Sequence, residues 1–159
     1  MAGLEKKVRT CFWFQAGGLK AAEFYVSLLP DSRIDAVFEH GVPQDPMVVE
    51  FTLAGAPMMI LTGGPTYKLT PAASISVLTK DQAETDRLWA ELLEGGGQES
   101  MCGWLEDKYG VSWQIVPEIL PRLIGDEDRD AGRRAQQAML HMRKIDIAKI
   151  KAAFAGQAA

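Results

Sequence analysis

The sequence predicts an α+β fold made of two modules, each with the order strand, helix, strand, strand, strand, followed by a helical tail. Three observations support this prediction: the same order of elements occurs twice, strand-like alternation and helix-like spacing of apolar residues follow one another, and Gly- and Pro-containing turns separate them. The 159 residues are 47% hydrophobic and 24% charged. This composition is typical of a globular protein that is long enough to bury a core.

The first module begins with a β-branched and aromatic run at Thr10–Phe14, which predicts a strand. Apolar residues between Ala21 and Leu29 then recur at spacings of three and four, which predicts one buried face of a helix. Alternating or apolar runs bounded by turn residues predict three further strands, at Arg33–Glu39, Met47–Leu53 and Met58–Thr62.

The second module repeats this order about 60 residues later. Ser74–Thr79 alternates like a half-buried strand, and Asp81 is a good N-cap for a helix with an apolar stripe that includes Trp89. The run Gly95-Gly96-Gly97 ends that helix. Three short strands are expected after it, at Gln98–Met101, Gly103–Asp107 and Val111–Val116.

After Pro117 the pattern becomes helical. Asp126 or Asp128 is expected to cap one helix and Asp146 a second, shorter one. We therefore expect residues 1–124 to hold the paired modules, at approximately 8–63 and 73–117, and residues 125–159 to form a helical C-terminal extension.

Charge and composition argue against nucleic-acid binding, membrane insertion and export. The formal net charge is −4, and lysine and arginine are scattered, whereas nucleic-acid binding needs clustered positive charge. No apolar run reaches the roughly 20 residues that are needed to span a bilayer. No apolar segment with a small-residue cleavage site follows the charged Met1–Arg9, so we do not expect export. Cys11 and Cys102 lack metal spacing and are interpreted as buried thiols in a reducing compartment. We expect a cytoplasmic protein that binds neither nucleic acid nor membrane.

The repeated module and the hairpin stretch Asp107-Lys-Tyr-Gly-Val-Ser-Trp-Gln-Ile resemble the vicinal-oxygen-chelate superfamily of glyoxalases, bleomycin-resistance proteins and dioxygenases. Further stretches span nearly the whole chain in order: Ala22-Glu-Phe-Tyr, Leu29-Pro-Asp-Ser-Arg-Ile, Val49-Glu-Phe-Thr-Leu, Gly63-Gly-Pro, Cys102-Gly-Trp-Leu, Tyr109-Gly-Val-Ser-Trp-Gln-Ile-Val-Pro and Lys144-Ile-Asp-Ile-Ala. In these stretches the chain is similar to the PhnB-like group labelled 3-demethylubiquinone-9 3-methyltransferase.

The resemblance implies four metal-ligand positions, which in this chain fall at Ser74, Gln114, near Thr10 and near Thr62. A catalytic divalent metal usually has about three protein ligands from His, Asp or Glu. Neither His40 nor His141 has a carboxylate at helical or strand spacing that would orient it. We therefore predict no metal and no cofactor, with these four positions lining an uncharged cavity.

The group's label also implies methyl transfer. A methyl-donor site typically has a glycine-rich turn between a strand and a helix, whereas Gly95-Gly96-Gly97 follows a helix and Gly63-Gly64-Pro65 precedes a loop. Cys102 has no histidine near it in sequence, and the serines have no Gly-x-Ser-x-Gly turn. The catalytic residues are left unknown.

In the fold that the resemblance implies, two curved sheets together close a cup. The side chains expected to line it are Phe12, Phe14, Thr62, Ser76, Trp104 and Gln114, with Trp13, Phe51 and Trp113 taking that role if the strand parity is reversed. Aromatic walls with a few polar groups are typical of a small-molecule pocket.

Two functions remain open at this stage. The first is a metal-free protein that binds a small molecule, and the second is an enzyme of the labelled family that acts on a small aromatic or quinone-like substrate. We also expect a homodimer, because the tail offers a long apolar stripe that this chain or a second copy must cover.

Overall fold

The computed structural model describes residues 7–39 and 45–157 of the chain. The chain divides into two compact units, Met1–Leu69 and Thr70–Ala159. Each unit contains a four-stranded sheet and at least one helix. The predicted fold class, two βαβββ modules with a helical C-terminal region, is confirmed.

The first unit runs through five elements, and its sheet has the order β1-β4-β3-β2. β1 pairs with β4 in parallel, and the other two pairings are antiparallel. The elements are β1 (Thr10–Phe14), α1 (Gly18–Leu28), β2 (Arg33–Phe38), β3 (Val48–Leu53) and β4 (Ala56–Thr62).

Helix α1 covers one face of the first sheet. The fully buried Tyr25 ring lies 6.4 Å from the Phe51 ring of β3. At the start of the helix, a Cβ atom added to Gly18 would lie 2.5 Å from the Thr62 hydroxyl and 2.7 Å from an Ile60 methyl group. Gly18 therefore lets the helix approach β4 closely, and Phe51, Ile60 and Thr62 all point toward α1.

The second unit repeats the topology, with a sheet order of β5-β8-β7-β6 and a parallel β5–β8 pair. It then continues into three helices, of which α3 was not predicted from the sequence. The elements are β5 (Ser74–Thr79), α2 (Gln82–Leu93), β6 (Gln98–Glu99), β7 (Trp104–Glu106), β8 (Ser112–Pro117), α3 (Ile119–Ile124), α4 (Arg129–Leu140) and α5 (Ile147–Phe154).

Helix α2 begins as the sequence predicts. The Asp81 carboxylate accepts a hydrogen bond from the Glu84 backbone N–H at 2.8 Å, as an N-cap does. One turn further on, the Thr85 hydroxyl lies 2.7 Å from the Thr79 hydroxyl of β5. Thr79 therefore points toward α2, which fixes which face of the second sheet the helix covers.

The tail packs on its own unit. Its buried core consists of Leu120, Ala135, Ile145 and Ile150, with Met139, Met142 and Phe154 half-buried around them. Asp128 caps α4, and Asp146 caps α5. Much of the apolar stripe that the sequence predicted is therefore covered by this chain.

Candidate functional site

The second sheet presents a row of three of the predicted site residues on the face turned away from α2. Ser76 of β5 is in register with Gln114 of β8, and Gln114 is in register with Trp104 of β7. Alternate residues of a strand face opposite sides, so this row lies opposite to Thr79, Trp113 and Ile115. The row combines a hydroxyl, an amide and an indole on neighbouring strands.

Gln114 is already oriented within the sheet. Its Nε2 atom donates a hydrogen bond to the Ser74 hydroxyl at 2.8 Å. Both residues are half-buried, as is Trp104. One N–H of Nε2 is used for Ser74, so the Oε1 atom of Gln114 can accept a hydrogen bond from a ligand and the second N–H can donate one. The resulting surface is polar, uncharged and flanked by an aromatic ring.

The first sheet places its predicted site residues differently. Phe12 and Phe14 are in register with Ile60 and Thr62, so all four side chains point toward α1. Phe12 and Phe14 are 4% and 3% exposed, and the Thr62 hydroxyl is also buried. These three residues therefore belong to the core between sheet and helix, and they do not fit the cavity wall that we expected them to line.

Of the three residues expected to line the cavity if the strand parity is reversed, only Trp13 lies on the face turned away from the helix. Trp13 lies on the face of the first sheet turned away from α1, whereas Phe51 packs against α1 and the fully buried Trp113 packs on the α2 side. The strand Thr-Cys-Phe-Trp-Phe carries aromatic residues on both faces, so its alternation gave no indication of which face is covered. In β5, by contrast, serines alternate with Ile75 and Val77.

Trp13 is held firmly by the loop that follows β4. Its indole N–H donates to the Gly64 carbonyl at 2.8 Å, and the Tyr67 ring meets it edge to face at 4.9 Å. A Cβ atom added to Gly63 would lie 2.3 Å from the Trp13 ring, so the Gly63 backbone lies directly against the indole.

Two ion pairs stand on the same face of the first sheet. Arg9 contacts Glu50 at 2.8 Å, and Arg33 contacts Asp35 at 2.7 Å. Asp35 also accepts a hydrogen bond from the buried Thr52 hydroxyl. Cys11 on this face is exposed, so its interpretation as a buried thiol is wrong. Local desolvation raises the pKa of its thiol, which is therefore uncharged at neutral pH.

The positions that the resemblance implies for a metal do not fit one. Thr62 points into the core beneath α1, and Thr10 lies on the same side of β1 by register with Met58. Ser74 and Gln114 are hydrogen-bonded to each other. Within residues 7–39 and 45–157, no three His, Cys, Asp or Glu side chains come together as a metal site. His141 is exposed at the end of α4, and His40 lies outside the described residues.

Asp107 organises the hairpin that carries the row. One of its oxygens accepts from the backbone N–H groups of Tyr109 and Val111, and the other accepts from the Trp113 indole at 2.8 Å. Asp107 is 3% exposed. A buried carboxylate with three donors fixes the β7–β8 turn, and it is a structural element of the site that the sequence did not single out for this role.

One cavity of the second unit is lined by residues other than those of this row. It measures about 710 Å³ and lies at the tail, between α4 and α5. Arg134 at its wall donates to the carbonyl oxygens of Ala153 and Phe154, which end α5. That guanidinium is therefore already used in joining the two helices. None of the helices described in the structure is long and apolar enough to cross a membrane.

Comparison with known proteins assigns a family. The family described as 3-demethylubiquinone-9 3-methyltransferase matches residues 6–116. A structure described as a 3-demethylubiquinone-9 3-methyltransferase, PhnB protein, from Bacillus cereus is 29% identical, with a TM-score of 0.65 over 70% of this chain and 99% of that chain. None of the curated proteins matches this sequence significantly.

More distant structures share the fold. A protein from Pseudomonas aeruginosa is 20% identical, with a TM-score of 0.61 over 72% of this chain and 98% of that chain. The fosfomycin resistance protein FosX from Mesorhizobium loti is 13% identical, with a TM-score of 0.53 over 77% of this chain and 99% of that chain. With residues 6–116 matched, this chain belongs to the family described as 3-demethylubiquinone-9 3-methyltransferase, and its fold is glyoxalase/bleomycin-resistance-like.

Proposed function

We propose that this chain is a metal-free protein that binds a small, partly aromatic molecule on the face of the second sheet turned away from α2. The observation that carries the proposal is the row of Ser76, Gln114 and Trp104 on neighbouring strands. An indole offers a flat apolar contact, and the amide and hydroxyl offer directional hydrogen bonds. Such a combination is typical of pockets that orient a small organic ligand.

The absence of charge in this row argues for recognition by hydrogen bonding. A neutral amide oxygen and hydroxyls suit a ligand that carries hydroxyl or amide N–H donors beside an apolar body. A strongly charged ligand would find no opposite charge in the row to replace its lost hydration. The expected ligand is therefore neutral or weakly polar where it meets this row.

A thermal-shift screen of small aromatic and quinone compounds, followed by calorimetry on the compounds that stabilise the protein, tests this proposal. Gln114→Ala and Trp104→Ala should each weaken the binding of such a compound by about tenfold, the equivalent of about 1.4 kcal/mol. Gln136→Ala, an exposed glutamine on α4, serves as the matched control. Binding that neither site variant changes would contradict the proposal.

A second candidate is an enzyme of the activity in the family's description, acting on a small aromatic or quinone-like substrate. The family match over residues 6–116 favours it. The strand-to-helix turn that contains Gly17 and Gly18 has the location of a nucleotide-binding turn. However, the Asp45 carboxylate accepts from the Gly17 N–H at 3.0 Å, and an anionic group would be repelled there.

Incubation with S-adenosylmethionine and a quinol that bears a free hydroxyl separates the two candidates. Formation of S-adenosylhomocysteine, dependent on the quinol and above a heat-denatured control, would favour the enzyme. We expect instead that quinone compounds stabilise the protein in a thermal-shift measurement, whereas S-adenosylmethionine does not.

A further inference from the structure

We propose that the first sheet carries a second recognition surface, which selects neutral aromatic molecules with a hydrogen-bond donor and an acceptor side by side, such as aryl amides. This inference deepens the proposed function and rests on it. The surface lies on the face turned away from α1. It combines an apolar row with a largely buried ion pair, Arg9–Glu50.

The apolar row follows from the strand register. Trp13 of β1 is in register with Leu61 of β4, Leu61 with Val48 of β3, and Val48 with Phe38 of β2. Phe38 is 53% exposed, which is unusual for a large aromatic side chain. Because the hydrogen bond from its indole N–H to the Gly64 carbonyl fixes Trp13, the row is a preformed apolar strip across all four strands.

The ion pair lies beside this strip. Glu50 is in register with Met59, and Met59 with Cys11, so the three form the next row on the same face. Residues two apart on a strand are separated by about 6.6 Å, roughly the width of one aromatic ring. A ring lying on Trp13 and Leu61 would therefore bring a substituent to Glu50.

The hydrogen-bonding groups of the Arg9–Glu50 ion pair determine which kind of substituent can bind there. The Glu50 side chain is 12% exposed and Arg9 is 29% exposed, so the charges are mostly shielded from water but not closed off. Glu50 uses one oxygen for Arg9, which leaves the other to accept a hydrogen bond. Arg9 has five N–H groups, so donors remain after that contact.

A neutral substituent satisfies both partners, because its carbonyl accepts from Arg9 while its N–H or O–H donates to Glu50. A carboxylate would meet the negative charge of Glu50 at close range in a poorly hydrated place, which is unfavourable. The un-ionised thiol of Cys11 in the same row adds no charge that would alter this balance. The surface therefore discriminates an amide from an acid of the same shape.

A pair of nearly isosteric probes tests the inference: 2-naphthamide and 2-naphthoate, titrated by fluorescence into the full chain. We expect the wild type to bind the amide at least tenfold more tightly than the acid. In Glu50→Gln, which keeps the side-chain shape but removes the negative charge, the preference should reverse as Arg9 attracts the acid. The double variant Arg9→Gln/Glu50→Gln should show neither preference, and it avoids an unpaired buried charge.

Asp35→Asn is the matched control, because it removes the carboxylate of the other ion pair on the same face. It should leave the amide preference unchanged. A wild type that binds the acid as tightly as the amide, or a Glu50→Gln preference like that of the wild type, would overturn the inference alone. Failure of the wild type to bind either probe saturably would also overturn the inference. The proposed function would be overturned only if the wild type bound none of the screened small molecules in a way that depends on Gln114.

Discussion

Asp107 shows how one side chain sets the geometry of the candidate site. Its carboxylate receives two backbone N–H groups of the β7–β8 turn and the indole N–H of Trp113. The turn in turn sets the register that places Trp104 beside Gln114. Both oxygens of the buried Asp107 carboxyl group therefore accept hydrogen bonds, one from the turn backbone and the other from the Trp113 indole.

Asp107→Asn should therefore lower the free energy of unfolding by about 1–3 kcal/mol, since an amide N–H₂ group would face at least one donor. Urea unfolding followed by circular dichroism measures the difference. Glu106→Gln, on the exposed neighbouring residue of β7, is the control and should change stability little. Equal stabilities for Asp107→Asn and the wild type would show that the turn does not depend on the carboxylate.

Individual residues also show what the sequence could and could not predict of the site. Serines alternate with apolar residues in β5, so the alternation indicates which face of that strand is exposed. The structure places Ser76 on that face, and its role in a ligand cavity stays a prediction. In β1, Cys11 and Trp13 alternate with Phe12 and Phe14, and all four are compatible with burial. Contacts between distant residues, such as those of Ile60 and Thr62 with Gly18 and of Phe51 with Tyr25, show which side α1 covers.

At the scale of elements, α2 depends on its apolar stripe. Trp89 is 4% exposed, and its indole N–H donates to Glu99 at 2.8 Å. Trp89→Ala should lower the free energy of unfolding by about 3–5 kcal/mol, the usual range for a large buried aromatic side chain. Trp104→Ala, on the opposite face of the sheet, should cost clearly less in the same urea titration. Similar losses for the two variants would contradict the assignment of faces.

The tail is joined to α2 and to the β6–β7 connection by backbone and charged contacts. The N–H groups of Cys102 and Gly103 donate to the carbonyl oxygens of Met142 and Arg143, both at 2.7 Å. Gln82 bridges the backbone on either side of Asp146. Two ion pairs, Arg143–Glu99 and Lys144–Asp86, add to this attachment.

This attachment should weaken in acid. Hydrogen bonds from Trp89 and then Arg143 lower the pKa of Glu99 from its ordinary value of 4.5, and contacts with Lys144 and then Gln82 lower the pKa of Asp86 from 3.8. A carboxyl whose pKa is lower in the folded state stabilises that state above its ordinary pKa. The stabilisation is lost as the pH falls through the folded-state pKa.

The double variant Glu99→Gln/Asp86→Asn isolates this contribution. At pH 7 it should be less stable than the wild type to urea, and the difference should shrink as the pH falls below about 4, near the ordinary values of these carboxyl groups. Both side chains are well exposed, so the difference is expected to be small and sensitive to salt. A difference that is constant from pH 7 to pH 3 would contradict the argument.

The element order was the most predictable feature of the molecule. Strand alternation, the Asp81 cap and the turn glycines are local signals, and β1 and β5 begin and end where the sequence predicts. Helix α3 was missed because it is short and contains Pro121, a residue that argues against a helix interior. The burial of the tail's apolar residues against the second unit depends on contacts between residues distant in sequence. No local sequence pattern specifies such contacts.

At the scale of the whole molecule, a homodimer remains a prediction, now with a narrower choice of interface. The tail's buried residues pack on their own unit, so a tail-mediated dimer would use only what remains exposed, such as Leu140. The edge strands of the sheets are better candidates for the dimer interface. Leu78 on β5 is 63% exposed, and β5 is an edge of the second sheet. Edge strands present unpaired backbone groups that a second copy can use.

Light scattering at micromolar concentration should give a mass equal to two chains. Leu78→Asp should lower that mass without unfolding the protein, whereas deletion of residues 126–159 should unfold the second unit by exposing the core around Leu120. A single-chain mass for the wild type would contradict the dimer. A folded monomer after the tail deletion would instead place the tail in the interface.

The central claim is that the chain binds a small molecule without a metal, and elemental analysis combined with a binding titration tests it most directly. The purified protein should carry no stoichiometric zinc, iron or manganese. A compound that stabilises it should bind equally well before and after treatment with a chelator, and about tenfold more weakly to Gln114→Ala. One metal ion per chain that is lost in Gln114→Ala, or ligand binding that disappears with the chelator, would contradict the account.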